Sequence, residues 1–435
     1  MSAPNAHPSM ETLYPGCHRT TLGNGLTVLV EPRPDRPLSM GVWARLGSRD
    51  EADAQAGITH FLEHMVFKGT ETRSAFQISE EIDAIGGAIN AMTSREYTAY
   101  HVDVLPQHLE RAMDILSDLV RRPRFHPEHV TREKGVILEE IRMQEDTPSD
   151  VAFERFDQQL WADQHPLTRP ISGFVETVNG LTREGLMEQF GLYDTAQLFL
   201  VAVGDVDTEE LRRMAEAKFG PIGQADEAAA PRHAPSLQGG FHLEDRDVQQ
   251  AHLCLGTASL ARDDDRRYGL ELMNTILGGG MSSRLFKRVR EELGLAYAVF
   301  SASSPYSDSG AFNIYVGTEP GNASQALDIC FEEVERIRTE PVSEDALRLA
   351  KEKLKGNLVL GLDSSQARMA RLGLAEIHGT HRSVDEIIQR VEAVTVDDVQ
   401  TIARTLFEQP WTLSVVGPGE ALASLEGKLA ASSVQ

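Results

Sequence analysis

Apolar residues in the first half of the chain come in short runs and one-sided stripes, a pattern that mixes strands with helices. Leu22-Gly23-Asn24-Gly25-Leu26 is a turn signal, and Leu26 to Val30 reads as the strand that leaves it. Pro32, Pro34 and Pro37 interrupt the pattern before a second strand from Met40 to Leu46. At Gly57 the period changes. Set at about 100° per residue, Ile58, Phe61, Leu62, Met65 and Val66 fall in one stripe, which predicts a helix with one buried face. A helix over Ala75 to Ile85 ends in Gly86-Gly87. Ala88 to Val104 alternates and predicts strands. Helices follow from His108 to Val120, over Glu133 to Glu140, and in the 150s and 180s. Leu198 to Val203, closing at Gly204, is continuously apolar and predicts a buried strand.

Residues 221–240 lose this pattern: Gly220-Pro221, Ala228-Ala229-Ala230-Pro231, Pro235 and Gly239-Gly240 predict a linker. It separates a domain over 1–220 from one over 241–435. The second domain repeats the first. Ala112-Met113-Asp114-Ile115 returns as Ala326-Leu327-Asp328-Ile329, Thr182 as Thr395 and Gly204 as Gly417, all at an offset of 213 or 214 residues. Each half mixes strands and helices in runs, so the fold class expected is α+β. Two duplicated domains are expected, each a mainly antiparallel sheet with helices on one face.

A length of 435 residues exceeds one ordinary core and agrees with two domains. Lys and Arg number 42 against 66 Asp and Glu, a net charge of −24 that argues against nucleic acid or an anionic membrane as partner. Cys17, Cys254 and Cys330 lack metal-site or redox-pair spacing and leave one thiol over, which suits a reducing compartment. Met1 to Met10 holds no basic segment followed by an apolar core, and no apolar run is long enough to cross a membrane. A cytoplasmic protein is expected.

Candidate chemistry sits opposite the apolar stripe. His60, Glu63 and His64 share the polar face of the Gly57–Thr70 helix. Imidazoles at i and i+4 stand one turn apart and can hold one zinc ion, with Glu63 in reach of a water beside it. H-x-x-E-H is the inverted form of the zinc-protease helix motif. A solvated face carrying two histidines is the ordinary alternative, and opposition to so clean a stripe argues against it. A catalytic zinc usually takes three protein ligands. Glu133 and Glu140 lie two helical turns apart on a helix with Val130, Ile137 and Ile141, but Glu-rich helices are mostly solvated and spacing alone leaves the third ligand open.

These residues, with Phe67-Lys68-Gly69-Thr70, Gly86-Gly87-Ala88-Ile89-Asn90-Ala91 and Thr93-Ser94-Arg95-Glu96-Tyr97-Thr98, resemble the pitrilysin-type (M16) zinc metallopeptidases. The likeness runs from about residue 18 to 418 and is nearest to two-domain bacterial members similar to the β subunit of the mitochondrial processing peptidase. It implies His60, His64 and Glu140 as ligands of one zinc per chain, Glu63 as the base and Glu133 as a support behind them. It also implies that four such domains make the working unit, so a homodimer enclosing a chamber is expected.

The second half has lost the metal motif. Leu270 to Asn274 stands in place of the cluster, and Gly356 in place of Glu140. It keeps Gly278-Gly279-Gly280-Met281-Ser282-Ser283-Arg284-Leu285 opening a helix to Glu292, with Arg290 near its end and Tyr297 beginning a strand. A glycine triplet alone marks a turn, and without the lysine of a phosphate loop it does not indicate a nucleotide. In the family an Arg and a Tyr at this spacing contact substrate near the zinc, and such donors can stabilise an oxyanion.

The function expected is therefore a zinc endopeptidase of short unstructured peptides. Asn90 and Ala91 are expected on an edge strand that pairs with the substrate. Two alternatives are a non-catalytic assembly or processing subunit, whose metal motifs are commonly degraded, and a zinc lyase of the S-ribosylhomocysteine type, whose third ligand is a cysteine that this chain does not place suitably.

Overall fold

Gly25 takes φ +97°, and the turn it closes is tied by Leu22 N–H to Leu26 O at 2.8 Å and Leu26 N–H to the Asn24 side chain at 3.2 Å. Glycine is the residue that adopts this conformation without strain, so the expected turn forms here and closes a hairpin. In the computed structural model, which describes residues 10–223, 231–419, 421, 423 and 425, it joins β2 (Cys17–Thr21) to β3 (Thr27–Pro32). Residues 224–230 of the expected linker, with Ala228-Ala229-Ala230, and most of Met1 to Met10 lie outside the described residues.

Contacts among the described residues sort the chain into two compact units, neither contiguous in sequence. The first takes Met1–Ile141, Pro170–Arg232 and Leu360–Ser383; the second takes Arg142–Arg169, His233–Val359 and Val384–Gln435. Each half of the sequence thus lends a segment to the other's unit.

The first unit is built on a seven-stranded sheet. With β1 (Met10–Tyr14), β4 (Leu38–Ala44), β5 (Ala88–Thr93), β6 (Thr98–Val104) and β7 (Leu198–Gly204), its order is β1-β2-β3-β7-β4-β6-β5. Only β3 and β7 pair in parallel. One face, through Met40, Val42, Leu200 and Ala202, packs on the helix α1 (Ile58–Val66) and on Leu109–Arg121. The other face shows Trp43, Phe199, Val201 and Val203, and it is closed by Met369 and Leu372 of the helix Ser365–Ile377. Gly373 lets that helix approach, because a Cβ there would run into the Trp43 ring. Ion pairs pin it, Glu376 with Arg45 at 2.6 Å and Arg368 with Glu31 at 2.5 Å, and His381 hydrogen-bonds Glu376 at 2.8 Å.

The second unit holds five strands, β8 (Gly240–Asp245), β9 (Ala251–Ser259), β10 (Ala296–Pro305), β11 (Gly310–Thr318) and β12 (Thr412–Gly417), in the order β10-β11-β9-β12-β8. Only β12 and β8 are parallel. The helices Arg267–Leu277, Ala323–Thr339 and Val396–Phe407 cover one face. Val151, Ala152, Phe156 and Leu160 of the helix Pro148–Leu160 cover the other, against Cys254, Ala311 and Val416.

Both sheets are mainly antiparallel, as the sequence implies, but each carries helix on two faces and not on one alone. The reason lies in the strands: β4 and β7 are buried at every position, so their alternate side chains need cover on both sides. The duplication is visible in the elements. Thr182 and Thr395 each cap a helix with a side chain that accepts a backbone N–H, from Gly185 and Asp398, and Gly204 and Gly417 each end a strand.

Candidate metal centre

Helix α1 starts where it does because of two residues. Gly57 holds φ +94°, and a Cβ there would stand 2.5 Å from the Ser172 carbonyl oxygen. The buried Glu51 carboxylate then accepts the N–H groups of Gly57 and Thr59, each at 2.8 Å, filling orphan donors of the first turn. Ile58, Phe61, Leu62, Met65 and Val66 are fully buried, and this fixes the rotation of the helix. His60, Glu63 and His64 are left half-buried on the opposite side, the two imidazole centroids 4.7 Å apart.

The helix Pro127–Glu145 faces them. Burial of Val130, Ile137 and Ile141 aims Glu133 and Glu140 at α1. Glu140 Oε2 lies 3.7 Å from His64 Nε2 and 3.9 Å from His60 Nε2. Among the described residues this is the one group of three metal-ligating side chains, with ligand atoms all within 4.8 Å of one another. A tetrahedral zinc with bonds of ~2.1 Å sets its ligand atoms ~3.4 Å apart, close to the 3.7 and 3.9 Å from Glu140 to the two imidazoles, so the donor set suits such an ion. Glu133 Oε2 stands 3.4 Å from His64 Nδ1, the nitrogen turned away from Glu140, and its other oxygen meets Lys68 Nζ at 3.0 Å. A carboxylate behind the far nitrogen is the usual partner of a metal-binding histidine.

Burial, and then the neighbouring His64, hold the His60 imidazole down to about 4, so its lone pair is free at neutral pH. Burial raises Glu63 above the ordinary carboxylate range; a hydrogen bond from Thr93 and the nearby His64 oppose that, and Glu140 adds to it. A base shifted upward holds a proton more readily once it has taken one.

Asn90 and Ala91 lie on β5, the terminal strand of the first sheet. Asn90 is exposed and Ala91 half-buried, and the Ala91 N–H donates to the Asn90 side chain at 2.8 Å. Arg290 and Tyr297 come together in the second unit. Arg290 sits on the π-helical turn Phe286–Glu292 with its guanidinium 4.7 Å from the Tyr297 ring, and Tyr297 is 76% exposed. The glycine loop before that turn is held by Lys353, which donates to Gly279 O at 2.7 Å.

Two contributors escape the sequence pattern. Glu51 lies on no apolar period and Thr93 ends an ordinary alternating strand, and their roles come from contacts across the fold. The H-x-x-E-H spacing finds the face of α1 but not the residues that hold it.

A family profile described as Insulinase (Peptidase family M16) matches residues 27–173, and one described as Peptidase M16 inactive domain matches residues 192–354. An uncharacterized zinc protease of Streptomyces coelicolor is 41% identical over 94% of this chain and 92% of its own. The zinc protease YmxG of Bacillus subtilis, also uncharacterized, is 37% identical over 92% and 98%. Among solved structures, a protease from Helicobacter pylori superposes with TM-score 0.88 at 22% identity, covering 95% of this chain and all of its own.

Proposed function

Since this chain belongs to the insulinase (M16) peptidase family, we propose that it is a zinc-dependent endopeptidase of short, unstructured peptides. The observation that carries the reading is the convergence of His60, His64 and Glu140, with Glu63 on the same face of α1. Zinc, when held there, would supply Lewis acidity, lowering the pKa of a water towards ~7 and polarising a carbonyl. His60, His64 and Glu140 would be its ligands, one ion per chain, and Glu133 would fix the His64 ring.

Glu63 would take the proton of the attacking water and hand it to the leaving amine, which needs a carboxylate whose affinity for a proton has been raised. Tyr297 and Arg290 would donate hydrogen bonds to the carbonyl oxygen as it gains charge. The backbone at Asn90 and Ala91 would receive an extended peptide as an added strand, giving affinity with little demand on side chains. Two copies of the chain, enclosing a chamber, would complete a working unit that admits peptides and excludes folded proteins. No helix among the described residues is long and apolar enough to cross a membrane, and the cytoplasm is the proposed location. Relatives named as zinc proteases favour this reading over a non-catalytic subunit.

Incubation with a mixed peptide library, with and without a zinc chelator, tests the proposal by mass spectrometry. Cleavage that stops with chelator and returns with zinc is the expected result. No cleavage by zinc-loaded protein, or cleavage indifferent to the chelator, would overturn it.

A further inference from the structure

We infer that Thr93 is a positioning residue that ties the seating of a peptide on β5 to the aim of Glu63; the inference rests on the peptidase reading above. Thr93 is the last residue of β5, which pairs with β6 on one side and with no strand on the other among the described residues. Exposure alternates along β5, so Ile89, Ala91 and Thr93 share its half-buried face, and α1 packs against the strand. From that face the Thr93 hydroxyl donates to Oε2 of Glu63, the one side-chain hydrogen bond made to Glu63 among the described residues. One carboxylate oxygen is thereby occupied and the other left for a water.

What surrounds Thr93 gives this bond a further role. Behind it, the chain is clamped. Ser94 N–H donates to Tyr97 O at 2.8 Å, and Ser94 O and Arg95 O accept the N–H groups of Ser48 and Arg49 at 3.1 and 2.8 Å. The buried side chains of Arg49 and Glu96 pair at 2.7 Å. Ahead of it, β5 has an open edge, and the Ala91 amide is engaged by the side chain of its own neighbour. A peptide that adds a strand to this edge orders the backbone it pairs with. Thr93 ends that backbone and holds the base, so the ordering passes to Glu63. A peptide long enough to pair with β5 is then cut faster, and not merely bound more tightly.

The test compares two peptides with the same scissile bond, one extended enough to pair along β5 and one too short, on wild type, Thr93→Val and Thr93→Ser. Valine keeps the shape and the strand preference and loses the hydroxyl. Thr93→Val is expected to keep its zinc and its melting temperature, with KM little changed and kcat on the extended peptide lowered ~10–100-fold. The kcat advantage of the extended peptide should shrink, and Thr93→Ser should restore it. In a Glu63→Gln background, Thr93→Val should leave affinity for the extended peptide unchanged, a reading independent of turnover. If the valine variant does not fold, Thr93→Ala compared with Thr93→Ser isolates the hydroxyl. An active wild type with an equally active Thr93→Val, or an equal loss on both peptides, overturns this inference alone. A zinc-loaded wild type that cuts neither peptide overturns the peptidase reading and this inference with it.

Discussion

Glu133 meets His64 on Nδ1 at 3.4 Å, the ring nitrogen opposite the one that faces Glu140. The two carboxylates thus stand on opposite sides of the imidazole, one against each ring nitrogen. Lys68, 3.0 Å from the second oxygen of Glu133, holds that carboxylate in place.

Glu133→Gln should therefore weaken zinc binding without abolishing it. Loss of such a support typically costs 10–100-fold in metal affinity. Competition with a chromophoric chelator measures this, and an unchanged affinity would remove Glu133 from the site.

Glu63→Gln should keep the metal and lose turnover, because three ligands remain and the base is gone. His60→Ala, His64→Ala or Glu140→Gln should lose the metal itself. Elemental analysis of purified variants separates the two classes. A Glu63→Gln protein without zinc, or a fully loaded Glu140→Gln protein, would reverse the assigned roles.

Tyr297→Phe should scarcely change the melting temperature, since the ring is 76% exposed and keeps its packing. Its kcat should fall by ~10²–10³ if the phenol donates to the developing oxyanion. Unchanged kcat would end that role.

Mixing inactive Glu63→Gln protein with Tyr297→Phe protein asks which chain completes which site. Recovered activity would mean residues shared between copies, and no recovery would mean each chain serves itself. Sedimentation of fully active protein as a monomer would end the dimer proposal.

Glu376 gives a pH dependence away from the metal. Burial alone would raise its pKa, but the hydrogen bond to His381 and the charges of Arg45 and Arg19 outweigh it and bring the carboxyl down to about 2. A folded-state pKa below the usual 4.5 adds stability that is fully present above about pH 4.5 and fades as pH falls towards 2. Glu376→Gln should lower stability at neutral pH by ~1–3 kcal/mol, because the part-exposed guanidinium groups of Arg45 and Arg19 lose the buried carboxylate between them. Melting curves against pH should show the variant and wild type converging in acid. Parallel curves down to pH 2 would contradict the assignment.

The parts legible in the sequence are those that one element decides for itself. Helical period alone puts His60, Glu63 and His64 opposite Phe61 and Met65, and two turns of helix put Glu133 in line with Glu140. Repetition of Thr182 and Gly204 as Thr395 and Gly417 discloses the second copy, because a cap and a strand end are local features. Glu51 is different: nothing near it marks a buried carboxylate, and its task appears only when the first turn of α1 folds over it. Thr93 reads as an ordinary strand residue until α1 packs on β5. Met369 and Leu372 sit on a helix that no sequence period assigns to Trp43, because the strand and the helix lie in opposite halves of the chain.

The exchanged helices change what can be inherited as a piece. A genetic crossover at residues 221–240 would look like a clean join between two domains. It would in fact give each daughter a sheet from one parent and the helix on its back from the other. Survival of such a chimera would hang on whether one parent's glycine at position 373 still meets the other's Trp43. Trp43 and the back of its sheet must therefore vary in step with a helix encoded in the far half of the gene, and no single junction spares both units, since one placed after Ile377 parts β12 from β8 and β9.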